Sequence, residues 1–105
     1  MTSDDVHLHT RPGSRGEHIV TVTGQVDVVS APAFGRLLAA AAAGRHQLIA
    51  DLTGLGFLDS AGVRVLFELA TRLDLHLIVD PSSVVATTLD ICGIGEAATL
   101  RAASP

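Results

Sequence analysis

The sequence predicts a single small α/β domain. We expect a mixed, mostly parallel sheet of four to five strands, an N-terminal hairpin, and helices packed mainly on one face. The 105 residues suffice for one compact domain but not for two, and a hydrophobic fraction of 48% supplies a core. Strand-like and helix-like apolar segments alternate along the chain. The domain is expected to span residues 1–105, with its core at about 6–101.

The first two elements are predicted to form an antiparallel hairpin. Val6 to His9 alternates apolar and polar residues, as a half-buried strand does. Ile19 to Thr23 alternates again and is rich in β-branched residues. The segment between them, Arg11 to Gly16, is composed of turn-forming residues.

A first helix and a central strand are predicted next. Ser30 is the expected N-cap of the helix, with Pro32 tolerated in its first turn and Gly44 ending it. Gln47 to Leu52 is nearly continuous in apolar residues, which suits a strand covered on both faces. The glycine-containing segment from Thr53 to Gly56 is predicted to be a loop.

A second helix is predicted from Ser60 to about Leu73. Its buried face is marked by apolar residues at helical spacing: Val63, Leu66, Phe67, Ala70 and Leu73. Arg64, Glu68 and Arg72 follow one another at four-residue steps on the opposite face, where ion pairs between them are expected.

A fourth strand, a third helix and a short last strand complete the prediction. The strand is Leu75 to Val79, and Asp80 is expected to cap the helix, with Pro81 as its first residue. Gly93 is the expected C-cap of this helix, with Ile94 folding back against it, and Cys92 is expected in the core. Ala97 to Ala102 is the last strand.

Charge, cysteine content and hydropathy exclude several classes of function. The net charge is −4 and the seven basic residues are scattered, so no nucleic-acid-binding patch is expected. The polar start, Met1 to Asp5, lacks the pattern of a signal peptide. The longest apolar run, Leu37 to Ala43, is far shorter than the roughly 20 residues that span a membrane. With one cysteine and no internal disulfide, we expect a cytoplasmic protein without membrane insertion.

No constellation of residues predicts catalysis, and we expect that the protein is not an enzyme. No metal site and no cofactor are expected, because the five histidines lack ligand spacing. No glycine-rich phosphate loop with a lysine occurs. No histidine is placed by sequence to activate Ser60 as a nucleophile, so no catalytic residue is assigned. Asp51 is expected to satisfy loop amides.

The segment from Asp51 to Leu66 carries the functional information. A buried strand ends, Phe57 and Leu58 are expected to anchor the following loop on the core, and Asp59-Ser60 opens a helix. Bare backbone at Gly62 would let another protein approach, and the Ser60 hydroxyl would be accessible to a kinase. Alternatively, Asp59-Ser60 is only a helix cap and Gly62 has no special role. Both interpretations can hold together, because a capping hydroxyl can also be modified.

This segment resembles the signature of anti-sigma factor antagonists, the prototype of the STAS family. In that family an apolar strand ends in Asp-Leu, a short loop follows, and Asp-Ser-x-Gly opens a helix. Further stretches resemble the family's first turn, the start of its first helix and its last helix: residues 23–27, 30–34, 80–85 and 89–94. The resemblance covers the chain from about Leu8 to Arg101.

The resemblance implies a partner and a site. Ser60 corresponds to the serine that is phosphorylated by a partner anti-sigma factor, itself a serine kinase, and a phosphatase would reverse the modification. Asp27 corresponds to an acidic residue that takes part in partner binding. Asp59 and Gly62 fall in the contact surface at the start of the helix. The unphosphorylated chain would bind the anti-sigma factor and so free a sigma factor for transcription.

Two matters stay open from the sequence. Val65 and Leu69 either extend the contact surface or flank a broad core face of the helix. The domain is either a phosphorylation-controlled antagonist or a non-switching accessory subunit of a transporter or signalling complex. The serine at position 60 favours the first. A small-ligand sensor ranks last, because no polar cluster defines a pocket.

Overall fold

Five strands form one sheet whose spatial order is the order of the chain, β1-β2-β3-β4-β5, in a computed structural model that describes residues 5–103. The elements are β1 (Val6–Pro12), β2 (His18–Val26), α1 (Ala31–Ala42), β3 (Gln47–Leu58), α2 (Ser60–Ala70), β4 (Asp74–Val79), α3 (Val84–Cys92), a 3₁₀ turn (Ile94–Glu96) and β5 (Thr99–Ala102). Residues 1–4, which include most of the start that lacks a signal-peptide pattern, lie outside the described part of the chain.

The sheet is mixed and mostly parallel, as predicted. β1 and β2 pair antiparallel, whereas β2, β3, β4 and β5 pair parallel to their neighbours. Each parallel connection runs through a helix, because parallel neighbours require a crossover. The carboxyl ends of β2 to β5 therefore share one edge of the sheet, which we call the carboxyl edge.

The core lies between the three helices and one face of the sheet. Alternate strand residues meet the apolar stripes of the helices there, and side chains from both are fully enclosed, among them Val20, Val22, Phe34, Leu38, Leu48, Leu52, Leu66, Leu77 and Leu89. Burial of such aliphatic side chains contributes about 1.5–3 kcal/mol each. None of the helices between residues 5 and 103 has the length and apolar content needed to span a bilayer.

The other face of the sheet carries a polar cluster beside the buried Ile19 and Ile49. Arg101 Nε donates to His76 Nδ1 at 3.1 Å, and His76 Nε2 lies 3.0 Å from Asp74 Oδ2. Because arginine can only donate, Nδ1 is the acceptor and Nε2 carries the proton. His76 is therefore held by its two neighbours in a single tautomer.

Several predicted boundaries are wrong. The expected loop at Thr53 to Gly56 is strand, because β3 continues to Leu58 through register irregularities against β2. The predicted end of α1 is confirmed, because the helix runs to Ala42 with Ala43 as its C-cap, and Gly44 follows with a left-handed φ of +75°. α2 ends at Ala70 rather than near Leu73, because Arg72 N–H closes a turn onto the Leu69 carbonyl at 3.0 Å before β4 begins.

The third helix begins later than predicted. Asp80 accepts from the N–H and the hydroxyl of Ser82 in a turn, and Ser83 caps the helix by accepting from Ala86 N–H at 3.1 Å. The C-terminal prediction is confirmed, because Gly93 adopts a left-handed φ of +74° that glycine tolerates.

Cys92 is exposed, which contradicts its expected place in the core. The third helix ends at Cys92 itself, so no further turn covers this side chain. The left-handed turn at Gly93 then directs Ile94 inward, where it is fully buried. Ile94, and not Cys92, is therefore the core residue at this end of α3.

Asp51 has the structural role that was expected, but the amide that it satisfies belongs to Thr53 within β3 and not to a loop. Its Oδ1 accepts from Thr53 N–H at 2.9 Å and from the Thr53 hydroxyl at 2.6 Å, while its Oδ2 pairs with Arg11 Nη2 at 2.9 Å. Partial burial acts to raise the pKa of Asp51, but these hydrogen bonds outweigh burial and lower the pKa below its ordinary value of 3.8.

Asp51→Asn is expected to lower the free energy of unfolding by about 1 kcal/mol at pH 7, since Arg11 and Thr53 lose a charged acceptor. Because folding lowers the pKa of Asp51, the carboxylate stabilises fully above pH 3.8 and its contribution is lost as the pH falls through the folded-state value. Urea unfolding followed by circular dichroism should show the stabilities of the parent and the variant converging as the pH is lowered below 3.8.

Asp90→Asn is the matched control, because the Asp90 carboxylate makes no hydrogen bond or ion pair within residues 5–103. It is expected to leave stability within about 0.5 kcal/mol of the parent. A difference in stability between Asp51→Asn and the parent that does not shrink as the pH falls below 3.8 would contradict the role of the charge.

Candidate functional site

The carboxyl edge brings Asp27 and Asp59 side by side. Val26 and Leu58 are register partners at the ends of two neighbouring parallel strands, β2 and β3. The Asp59 N–H donates to the Val26 carbonyl at 3.1 Å, which extends this pairing by one step. The two aspartates are therefore the first residues beyond adjacent strands, where the loops of an open α/β sheet form sites.

Asp59 caps the second helix. Its Oδ1 accepts from Ala61 N–H at 2.9 Å and from Gly62 N–H at 3.3 Å, with extended backbone at φ −100° and ψ −175°. Ser60 is the first helical residue, so its predicted role as the N-cap is wrong. The preceding carboxylate takes that role, because a negative charge is favoured at a helix N-terminus.

The Ser60 hydroxyl is thereby left free. Ser60 is exposed, and its side chain makes no hydrogen bond with any residue between 5 and 103. It lies in a surface concavity of about 420 Å³ formed by the starts of both helices and by the loop before α1. The residues that line it are Val28, Ala31, Pro32, Ser60, Ala61, Arg64 and Val65.

Asp27 is engaged in the turn that leads into α1. Its Oδ1 accepts from Val29 N–H and Ser30 N–H, each at 2.9 Å. The hydrogen bond from the Ser30 amide is the largest cause that lowers the pKa of Asp27 below 3.8. Asp27 is therefore a carboxylate anion at neutral pH.

Ser30 precedes the helix as predicted, but its side chain makes no cap to it. Instead its buried Oγ accepts from Asp27 N–H at 2.9 Å and lies 3.1 Å from the Gln25 carbonyl. The hydroxyl thus stabilises the loop before α1 and does not cap the helix. This tight turn leaves Val28 and Val29 exposed to 72% and 78%.

Gly62 is buried inside the domain, which contradicts the expectation that its bare backbone lies at the surface. A Cβ atom there would collide with Leu58 Cδ1 and would stand 2.7 Å from Val26 Cγ1. The missing side chain therefore lets α2 approach the ends of β2 and β3. It supports the site from below.

Val65 and Leu69 have different environments in the structure. Leu69 is buried in the core, so the interpretation that it extends the contact surface is wrong. Val65 is half-buried and lines the concavity with Ser60. It also faces α1, where a Cβ added at Gly35 would lie 3.5 Å from Val65 Cγ1.

Three exposed apolar side chains near the carboxyl edge were missed by the sequence analysis: Val28, Val29 and Phe57. Phe57 was expected to anchor a loop on the core, yet it is 43% exposed while Leu58 is buried. Since β3 continues through these residues, neighbouring side chains point to opposite faces. Two adjacent valines, Val28 and Val29, in a loop without helical periodicity could have predicted an exposed apolar patch.

Residues 9–103 match the family model of the STAS domain. The chain belongs to the STAS domain family. No curated protein matches the chain in sequence. The fold of this STAS domain also occurs in two solved structures. A crystal structure of an anti-sigma factor antagonist from Mycobacterium paratuberculosis superposes with a TM-score of 0.78 at 22% identity, covering 95% of this chain and 88% of that one.

The second structure is the STAS domain of an antisigma-factor antagonist from Rhodobacter sphaeroides. It superposes with a TM-score of 0.55 at 13% identity, covering 83% of this chain and 95% of that one. At these identities both comparisons establish the shared fold.

Replacing the cap and its neighbour should separate their roles. Asp59→Ala is expected to lower the free energy of unfolding by about 1 kcal/mol, because two amides at the start of α2 lose their acceptor. Ser60→Ala should stay within about 0.5 kcal/mol of the parent. Urea unfolding followed by circular dichroism measures both, since the chain has no Trp or Tyr. A larger loss for Ser60→Ala than for Asp59→Ala would refute the assignment of the cap.

Gly62→Ala is expected to destabilise the domain by about 1 kcal/mol, because overpacking against Val26 and Leu58 outweighs the gain in helix propensity. Gly35→Ala is the matched control within α1, where the added Cβ makes only ordinary contact with Val65. It should stabilise by about 0.5–1 kcal/mol. Thermal unfolding of both variants tests this, and stabilisation by Gly62→Ala would disprove the close approach.

Proposed function

We propose that this STAS domain is an anti-sigma factor antagonist. In this proposal it binds an anti-sigma factor that has serine kinase activity, and phosphorylation of Ser60 releases it. The observation that carries the proposal is the exposed Ser60 hydroxyl, free of hydrogen bonds to residues 5–103, at the start of a helix beside exposed apolar side chains. Two solved structures with this fold bear the name of anti-sigma factor antagonists, which supports the same role.

The proposed docking surface comprises Asp27, Val28, Val29, Phe57, Asp59, Ser60, Arg64 and Val65. Its apolar members are exposed to water, and their burial by a partner would favour binding. Each aspartate can also accept a hydrogen bond from the partner through one carboxylate oxygen. In both Asp27 and Asp59, Oδ1 holds backbone amides while Oδ2 makes no hydrogen bond within residues 5–103. Gly62 contributes indirectly, because it sets the position of the helix.

Phosphorylation would act through charge. A phosphoserine adds about −1.5 to −2 charges at neutral pH. In the free protein this charge is exposed to water, but a docked partner that covers it must remove its hydration next to two further negative charges, Asp27 and Asp59. A penalty of about 3 kcal/mol corresponds to roughly a hundredfold loss of affinity.

The cellular consequence follows from that loss. The unphosphorylated domain would hold the anti-sigma factor, so that a sigma factor is free for transcription. The phosphorylated domain would release the anti-sigma factor, and a phosphatase would restore binding. This cycle would take place in the cytoplasm, where sigma factors act.

Substitutions at Ser60 test the switch. The anti-sigma factor that co-purifies with the protein from its native cells would be titrated with each variant by calorimetry. Ser60→Ala is expected to bind as tightly as the unmodified parent, and the chain with phosphoserine at position 60 about a hundredfold more weakly. Ser60→Asp should weaken binding in the same direction, less strongly because its charge is smaller.

Ser14→Asp is the matched control for added charge. Ser14 lies in the exposed β1–β2 turn, at the opposite edge of the sheet from Ser60. It is expected to change affinity less than threefold. Intact-mass analysis and peptide mapping of protein from native cells should locate a single phosphate on Ser60. Equal affinity of Ser60→Ala and the phosphoserine form would exclude the switch and favour a non-switching accessory subunit.

A further inference from the structure

We propose that Arg64 forms an ion pair with the phosphoryl group of phosphorylated Ser60 within the same helix, so that the free phosphorylated domain holds this charge at its own surface. The inference rests on the proposed function, since it takes Ser60 as the modified residue. It adds a positioning residue for the phosphate.

Arg64 and Ser60 are neighbours on the helix surface. They stand four residues apart in the continuous helix α2, which places their side chains on one face, one turn apart. Both side chains line the same concavity of about 420 Å³, which has room for a phosphoryl group. An acidic group four residues before a basic one is the more favourable order for such a pair.

Arg64 has no competing partner in the described part of the chain. The ion pairs found between residues 5 and 103 are Arg11–Asp51 and His76–Asp74. The ion pairs expected from the four-residue spacing of Arg64, Glu68 and Arg72 are therefore not formed. The guanidinium of Arg64 is exposed and uncommitted, and its planar fork suits two oxygen atoms of one phosphate.

The charges around the concavity identify Arg64 as the residue that would stabilise a phosphate there. Among its described lining residues Arg64 is the only charged side chain, and α1 contributes only the uncharged Ala31 and Pro32. The nearest acidic groups by connectivity are Asp59, directly before Ser60, and Asp27 beside Asp59 across the strand ends. Both disfavour a second negative charge on the phosphate, and Arg64 opposes them.

The second pKa of the phosphate reports the pairing. Phosphoserine would be incorporated at position 60 during translation, so the test needs neither kinase nor partner. The phosphate would then be titrated by phosphorus NMR at an ionic strength of about 0.1 M, from a reference value near 6. A nearby cation favours the doubly charged phosphate, so Arg64→Gln is expected to raise this pKa by about 0.3. Arg64→Lys should restore most of the difference.

Arg72→Gln is the matched control, with the same loss of charge about two turns further along the chain. Because that distance exceeds a Debye length of about 10 Å, the pKa should stay at the parent value. Equal pKa values in the parent and Arg64→Gln would overturn the ion pair, as would an equal rise in Arg72→Gln. Either result leaves the partner-release experiment intact, and failure of partner release leaves this titration intact.

Discussion

The hydrogen bond from the Asp59 N–H to the Val26 carbonyl is the constraint on which the site depends. It continues the pairing of β2 and β3 up to the residue before α2, so no flexible loop separates β3 from α2. The carboxylate of the same residue then satisfies the first amides of the helix. With the neighbouring aspartate occupied in this way, the serine hydroxyl has no structural task and is directed to the surface.

Close packing beneath the site enforces the same geometry. Gly62 meets Val26 and Leu58, the two residues that pair at the ends of the strands. The same few residues therefore pair the strands, cap the helix and set how closely the helix approaches the sheet. The glycine that looks like an opening for a partner in the sequence acts as an internal contact, while the recognition area comes from the flanking valines and Phe57.

Periodicity was enough to predict the order and type of the elements. The alternation in β1 and β2 and the helical spacing around Phe34 and Leu66 each report which face meets the core, and burial makes that signal strong. These features depend on many residues at once, so no single neighbour can reverse them. The position of Asp27 and Asp59 directly after strands was not predicted, because β2 and β3 extend beyond the predicted strands.

Caps and surface contacts were harder to predict because neighbours compete for one role. Asp59 and Ser60 can both cap a helix, as can Asp80 and Ser83, and the outcome depends on backbone geometry that the sequence does not reveal. Leu69 and Cys92 fit either face of a helix until the position of its end and its neighbour are known. The strand through Gly54 and Gly56 was missed because glycine usually weakens strands.

The order of the sheet has a consequence for how the domain assembles. Since neighbouring strands follow one another in the chain, every strand pairing joins segments separated by one turn or one crossover. The parallel crossovers are therefore the long-range steps of folding, and such steps are slow. The edge that carries the serine draws only on β2, α1, β3 and α2. β4 and β5 contribute no residue to the proposed docking surface, so substitutions in these strands reach it only through the shared core.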